Sequence, residues 1–395
     1  MTKRTIVLMP GDGIGKTVLP EAVRVLDAVG LDADYVHADI GWEFWCKQGN
    51  PLPDRTLELL EAHKISLFGA ITSKPKGDAA KELTPELQDK GYVYYSPIVG
   101  LRQHFDLDIC IRPCKTFKGN PLNFIRRGQG GVIEEPEIDA VIFRQNTEGL
   151  YGGVEWTDPP DDVYAALNTH PKMKTFSRCP KEELAISTRI FTKKASIRII
   201  RAAFEHAKKF GYTSVTLCEK PNVIRETSGM MLSIAQEMVR EYDGISLKNT
   251  NIDAQMMWLT KNPETYGVLV SGNMFGDIVS DGFAGLVGGL GFACSANIGD
   301  EIAIFEPTHG SAPIYADYEK PIVNPIAMIL SACMMLDHID ETEKAVRIRN
   351  AVGRVVEAGN VRAYDMMKLT GSPDVLNQGA ASTPEVTDAI IESLQ

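Results

Sequence analysis

Short apolar runs that end in glycine turns and lead into helically spaced residues recur along this chain and restrict it to an α/β architecture. The first unit is Thr5-Ile-Val-Leu-Met9, then Pro10-Gly-Asp-Gly-Ile-Gly15, then Val18, Ala22, Val25, Leu26 and Val29 at helical spacing. Further strands are read over Ile65–Thr72, Ala140–Phe143, Ser214–Cys218 and Tyr266–Val270, and helices over Leu57–Ala62, Ile197–Ala207, Ile224–Tyr242 and Asn324–Leu336. A strand from Phe105 should stop near Arg112, because Pro113 has no N–H for a sheet ladder. Residues 157–180 are rich in Asp, Pro, Lys and Thr and show little periodicity; they read as a structureless excursion that pairs with another subunit.

A chain of 395 residues is long for one core and suggests two domains, or one with a large insertion. Its net charge of −11 argues against nucleic-acid or anionic-membrane partners, which need a positive field. An anionic small molecule needs only local arginines. The apolar stretches near 283–293 and 326–336 are too short or too Gly-rich to span a bilayer, and the N-terminal run is too short for a secretory signal. Seven scattered cysteines without a C-x-x-C pair fit a reducing compartment, so the cytoplasm is expected.

The chemistry concentrates in Ser271-Gly-Asn-Met-Phe-Gly-Asp277-Ile-Val-Ser-Asp281. A helix beginning near Gly276 would project Asp277 and Asp281 from one face, where two repelling carboxylates invite a hard divalent cation, Mg²⁺ or Mn²⁺. The plain alternative is an acidic first turn that complements the helix dipole. Arg102, Arg112 and Arg144 close neighbouring elements and could converge on carboxylates, although for any one alone an ordinary surface ion pair is the simpler reading. The first glycine turn nearly matches two phosphate-binding motifs. Gly15-Lys16-Thr17 fits a P-loop, but Pro10 stands where its first glycine belongs, and the spacing is G-x-G-x-G rather than G-x-G-x-x-G. A tight strand-to-helix turn is the simpler reading.

Taken in order, these motifs resemble the β-decarboxylating dehydrogenases: isocitrate, 3-isopropylmalate, homoisocitrate and tartrate dehydrogenases. The match covers nearly the whole chain. It runs through Pro10–Gly15, Arg102, Ile111-Arg112-Pro113, Arg144–Tyr151, Glu219-Lys220-Pro-Asn222, Asp253, Asn273–Asp281, Ala296–Asp300 and Glu306–Pro313. The resemblance implies an isocitrate/isopropylmalate dehydrogenase-like α/β fold, not a Rossmann fold. Residues 1–107 and 288–395 would form a large domain, 108–148 and 193–287 a small one, and 149–192 a clasp that pairs across a homodimer with shared active sites.

Carried over residue by residue, Arg102, Arg112 and Arg144 would clamp the substrate carboxylates. Asp277 and Asp281, with Asp253 from the other subunit, would hold Mg²⁺ or Mn²⁺. Tyr151 and Lys220 would be catalytic, with Lys220 and Asn222 reaching across the dimer. The coenzyme, NAD⁺ or NADP⁺, would sit on His309, Gly310, Ser311, Ala312 and Pro313, with Ile314, Tyr315, Asn324, Tyr364 and Lys368 nearby. Ile314 departs from both the acidic residue of NAD enzymes and the lysine of NADP enzymes, while Tyr315, Tyr364 and Lys368 point to NADP⁺. Ser96 is kept where isocitrate enzymes receive the γ-carboxylate, but Ile98 replaces their asparagine.

The text resembles isocitrate dehydrogenase most, implying oxidation of isocitrate to 2-oxoglutarate and CO₂. Action on 3-isopropylmalate or another 3-substituted malate is the alternative. Two readings lie outside this class. A non-catalytic regulatory subunit is opposed by the retained Tyr151, Lys220, Asp253, Asp277 and Asp281, and a P-loop NTPase is opposed by Pro10.

Overall fold

Local apolar spacing sets most elements of the computed structural model, which describes residues 3–394. The chain begins β1 (Arg4–Gly11), α1 (Gly15–Ala28), β2 (Ala33–His37), α2 (Trp42–Gln48), α3 (Asp54–His63) and β3 (Ile65–Ala70). Helices α4 (Lys76–Lys81), α5 (Pro85–Gln88) and α6 (Pro97–His104) lead to β4 (Ile109–Lys115). A hairpin of β5 (Arg126–Arg127) and β6 (Ile133–Glu134) precedes β7 (Asp139–Gln145). An excursion holds β8 (Glu155–Thr157), α7 (Asp161–Asn168) and β9 (Ala185–Ser187). Alternation then resumes with α8 (Lys193–Phe210), β10 (Ser214–Glu219), α9 (Thr227–Met238), β11 (Ser246–Asn251), α10 (Ile252–Leu259), β12 (Val268–Ser271) and α11 (Asn273–Leu286). The chain finishes with β13 (Cys294–Ile298), β14 (Ala303–Pro307), α12 (Ile326–His338), α13 (Thr342–Ala358) and α14 (Thr383–Glu392).

Helix α8 shows how sequence makes an element. The Thr192 hydroxyl accepts the Ala195 N–H, Ile199, Ile200, Ala203, Phe204 and Ala207 line one buried face, and Gly211 ends the helix at φ +78°.

Ten strands form one mixed sheet in the order β11-β10-β12-β7-β4-β13-β14-β3-β1-β2. Both outer parts are parallel, while β4 runs antiparallel to both of its neighbours, β7 and β13. Helices cover both faces. Helix α12 packs into one core with α1, whereas α8 and α9 bury a separate core around Phe143 and Phe204. The charged cleft lies where β4 and β7 meet β13 and β14.

Three expectations need correction. Pro113 lies inside β4, opposite Val141 of β7; pairing with β13 ends at Ile111, so Pro113 has a ladder neighbour on one side only. Residues 157–180 are not structureless, since they contain α7 and a 3₁₀ turn (Pro171–Thr175) above the β8–β9 ribbon. No residue of α7 is buried, although Val163, Tyr164, Ala166 and Leu167 recur at helical spacing; the run lasts only eight residues and is easily passed over. The helix expected from Ile224 starts at Thr227, because residues after Lys220 turn back to bond its carbonyl.

His206 of α8 sits among Phe143, Phe210 and Tyr212, with ring centroids 5.2, 4.4 and 5.9 Å away. Burial, with Lys209 adding repulsion, pushes its pKa down to about 4. The unfolded chain takes up this proton near the ordinary value, about 6.5, whereas the folded chain resists it. The stability contribution is therefore complete above about pH 6.5 and is lost as pH falls towards 4. Urea unfolding at about pH 7 and about pH 4.5 should show a pH-dependent loss smaller in His206→Gln than in wild type, by on the order of 2 kcal/mol.

Candidate active site

Strand β7 ends by delivering Arg144, whose side chain is 3% exposed, and β12 turns through Gly272 into α11. Arg144 donates from Nε and Nη2 to Asn273 Oδ1 at 3.0 and 2.7 Å, and from Nη1 to the Asp277 carboxylate. A Cβ at Gly276 would stand 2.8 Å from Arg144 Cβ, so this close packing of helix on strand needs glycine. From β4, Arg112 Nη1 reaches Asp277 Oδ1 at 2.9 Å, Asp281 Oδ1 at 3.1 Å and Ser280 Oγ at 2.8 Å. The Tyr151 hydroxyl donates to Asp277 Oδ2 at 3.0 Å, and the Arg144 guanidinium lies 5.4 Å from the Tyr151 ring centroid.

This cluster is electrostatically unfinished. Burial first, with Arg112 and Arg102 adding repulsion, holds the Arg144 pKa below its ordinary value. Burial first, with Asp277 adding to it, pushes the Asp281 carboxyl up despite Arg112. The guanidiniums and carboxylates balance in formal charge, but each kind is crowded by its own, so the arginines could still take an anion and the aspartates a cation. Arg102, on α6, is held from the other side of the cleft, by Asn297 Oδ1 at 3.0 Å and Glu306 Oε1 at 3.0 Å. Asn297 donates in turn to Glu306 Oε1 at 2.7 Å and receives Asn146 Nδ2 at 2.8 Å. Neither Asn297 nor Glu306 was singled out for this role. Both lie in named motifs, and only the hairpin's distant pairing brings them to Arg102.

Lys220 and Asp253 pair with each other, and this hydrogen-bonded ion pair lowers the Asp253 pKa. Neither bonds Asp277, Asp281 or the three arginines within this chain. Among the described residues no group of three or more His, Cys, Asp or Glu is poised around one point to hold a metal. Ser96 precedes α6 and makes no side-chain bond to its amides; Ile98 packs against the core, while Val99 is 39% exposed. Asn222 is exposed in the turn after Lys220.

The His309–Pro313 loop carries its own unmet polar groups. His309 Nδ1 lies 3.0 Å from the Gly310 carbonyl, but buried His309 Nε2 and Thr308 Oγ1 have no partner, nor has Asp365 Oδ1. Asn324 Nδ2 donates to the other Asp365 oxygen at 3.1 Å. Tyr315 lies 5.8 Å from both Tyr318 and Tyr364, Ile314 is 68% exposed, and Lys368 takes φ +57° near this aromatic group. Asp365 carried no sequence signal of its own.

The first glycine turn packs directly against this loop. Ile14 N–H donates to the Ser311 carbonyl at 2.8 Å, and Asp12 N–H to the Ala70 carbonyl at 2.8 Å. Asp12 itself accepts the Trp42 and Thr72 amides, and Lys16 pairs with Glu43 at 3.3 Å. The amides a P-loop would offer to phosphate are thus spent on protein carbonyls, and the NTPase reading fails. Ser311 and Thr72 join hydroxyl to hydroxyl at 2.6 Å.

One sheet without a free phosphate cradle, and a cleft of arginines, carboxylates and a phenol at its centre, define an α/β class distinct from nucleotide-binding Rossmann or P-loop proteins. An isocitrate/isopropylmalate dehydrogenase family profile matches residues 5–390. The chain is 37% identical over 390 residues to the isocitrate/homoisocitrate dehydrogenase of Thermus thermophilus, covering 99% of this chain and 98% of that protein. It is 37% identical to Protein DlpA of Legionella pneumophila over 98% of its own length, and spans 58% of that longer protein. The crystal structure of isocitrate dehydrogenase from Methylococcus capsulatus superposes with a TM-score of 0.79 at 35% identity, over 99% of each chain. This chain belongs to the isocitrate/isopropylmalate dehydrogenase family, NAD(P)-dependent decarboxylating dehydrogenases of malate-type acids. The family typically uses a divalent metal and commonly dimerises. The expected fold is therefore observed. No described helix is long and apolar enough to cross a membrane.

Gly13 tests the structural reading of the first turn. It takes φ +52°, and a Cβ there would lie 2.1 Å from the Ser311 carbonyl oxygen. Gly13→Ala should cost about 2 kcal/mol or more and displace the His309–Pro313 loop. A lowered Tm by calorimetry is the expected result.

Proposed function

We propose that this protein oxidises isocitrate to 2-oxoglutarate and CO₂, with NADP⁺ as hydride acceptor and Mg²⁺ or Mn²⁺ bound. The observation that carries this reading is the convergence of Arg112, Arg144 and Tyr151 on Asp277 and Asp281. In the resting chain Arg112 and Arg144 are neutralised by aspartates. Substrate carboxylates would take over as their partners, with Arg102 gripping from α6 and Ser96 receiving the γ-carboxylate. Hard oxygen donors at Asp277 and Asp281, with Asp253 of a second copy, suit Mg²⁺ or Mn²⁺, which would supply Lewis-acid polarisation of the substrate's 2-oxygen. Lys220, held by Asp253 and flanked by Asn222, would take the 2-hydroxyl proton as hydride leaves C2. After the β-carboxyl group departs as CO₂, Tyr151 would return a proton to C3; its pKa is raised by burial and by Asp277, which keeps the phenol protonated.

A homodimer follows from this assignment, because Lys220 and Asp253 stand apart from Asp277 and Asp281 in one chain. Exposed Met257, Trp258 and Ile278 on α10 and α11 offer an apolar face for the second copy. The two halves of the sheet would act as domains, 1–107 with 288–395 and 108–148 with 193–287, and the 149–192 excursion as the clasp. Buried, partnerless atoms at Thr308, His309 and Asp365 suit the adenine end of a coenzyme, with Ser311, Ala312, Pro313 and Asn324 around it. Tyr315, Tyr364 and Lys368 favour a 2′-phosphate over a bare ribose. All seven cysteines are free, which fits residence in the cytoplasm.

A second reading rests on Ile98 and Val99, which make the start of α6 apolar where a γ-carboxylate would lie. 3-Isopropylmalate or another 3-substituted malate would then be the substrate. A spectrophotometric panel of isocitrate, homoisocitrate, 3-isopropylmalate and tartrate, each with NAD⁺ and NADP⁺, should give the highest kcat/KM for isocitrate with NADP⁺. Activity confined to 3-isopropylmalate would favour the second reading. Asp277→Asn should lose at least about a hundredfold in kcat, and EDTA should silence the wild type until Mn²⁺ is added. Undiminished turnover in that variant would remove Asp277 from the metal site.

A further inference from the structure

Behind the cleft lies a second ionic node that the roles above leave unused. Glu219 ends β10 and is 0% exposed. Its carboxylate receives Arg189 Nη2 at 2.9 and 3.2 Å, Ser228 Oγ at 2.5 Å and the Gly272 N–H at 2.8 Å. Arg189 Nη1 donates to Thr227 Oγ1 and Ser228 Oγ, both at 2.9 Å. Its guanidinium lies over the rings of Phe191 and Phe275, 4.4 and 4.9 Å from their centroids. There is no slack around the pair. A Cβ at Gly272 would stand 2.4 Å from the Phe191 ring and 2.7 Å from Glu219 Oε1.

Each partner stands where a functional segment begins. Gly272 immediately precedes α11, the helix that carries Asp277 and Asp281. Lys220 directly follows Glu219, and its N–H faces Ser228 Oγ at 3.4 Å. Thr227 opens α9. Arg189 comes from the far end of the 149–192 excursion, and its neighbour Ile190 bridges Gly149, two residues before Tyr151. One buried ion pair thus ties the strand end bearing Lys220, the helix bearing the acidic pair and the segment bearing Tyr151.

We infer that Arg189 and Glu219 are positioning residues that fix Lys220 relative to the α11 carboxylates. The inference rests on the roles proposed above for Lys220 and Asp277. Glu219 touches no substrate, because it is fully buried. Its four hydrogen-bond contacts all come from donors, so the two oxygens must both accept. A glutamine would turn an NH₂ group towards either Gly272 N–H or Arg189, and the strand end and helix start would move apart. Displacing a reacting group by about 1 Å from outside the site costs up to about a hundredfold in rate.

The test compares wild type with Glu219→Gln, Arg189→Met, the conservative Arg189→Lys, and Arg201→Ala, which breaks an exposed pair with Glu241 on the same half of the molecule. Two readouts are taken. The first is the split between kcat and KM. The second needs no turnover: the rate at which an amine-reactive ester labels Lys220 in the resting protein, read by mass spectrometry. Glu219→Gln and Arg189→Met should lower kcat about tenfold to a hundredfold with KM little changed, and should label Lys220 severalfold faster as it leaves Asp253. Arg189→Lys should recover part of both, and Arg201→Ala should match wild type in both. Should Glu219→Gln not fold, Arg189→Met and Arg189→Lys carry the comparison. Unchanged Lys220 labelling in folded Arg189→Met and Arg189→Lys overturns the inference. A wild type that oxidises none of the panel acids overturns the proposed function instead, and leaves the labelling comparison to decide the node.

Discussion

Asp277 is the carboxylate on which the centre of this molecule is assembled. Two guanidiniums from different strands and one phenol from the excursion all terminate on it. Both arginines are largely buried, and a buried guanidinium without a counter-charge would cost several kcal/mol. That requirement draws β4, β7, α11 and the segment around Tyr151 into one arrangement. It also leaves the arrangement incomplete, since burial first, and the neighbouring Arg112 and Arg102 after it, still hold the Arg144 guanidinium below its ordinary basicity. A site in this condition is stable enough to fold and still gains from binding an anion.

Around that centre the support is graded. Asn273 takes two of the Arg144 nitrogens, leaving the third for Asp277. Asn297 and Glu306 do the same for Arg102 from the opposite side of the cleft. Further out, Glu219 and Arg189 hold the starts of segments rather than functional groups. Each layer fixes the orientation of the one inside it, as preorganised sites require.

How much of this could be read from the chain depended on the range over which each signal acts. The fold class was legible because apolar periodicity is local, and α8 or β10 declares itself within a few residues. Asp277, Asp281, Arg112 and Arg144 were legible because a helix repeat and strand ends put them on predictable faces. Pro113 misled because its tolerance depends on where β13 stops, far along the chain. The excursion misled because its one helix is only eight residues long, Asp161–Asn168, so its helical spacing is brief and lies in a Pro- and Lys-rich stretch. Asn297 and Glu306 could not be assigned to Arg102 from sequence, since only the insertion of the β13–β14 hairpin between β4 and β3 brings them there. Arg189 meets Glu219 only in three dimensions, thirty residues apart.

The strand order carries a consequence for synthesis. The block β11-β10-β12-β7-β4 is drawn entirely from residues 109–271, whereas β14 must slide between β13 and β3, beside strands made much earlier. On the ribosome the middle of the chain can therefore close its own part of the sheet while the opening β1–β2–β3 layer waits with one edge bare. That edge stays unpaired until residues 303–307 emerge, just as the β4 edge of the middle block waits for residues 294–298, so one late hairpin seals both halves of the sheet.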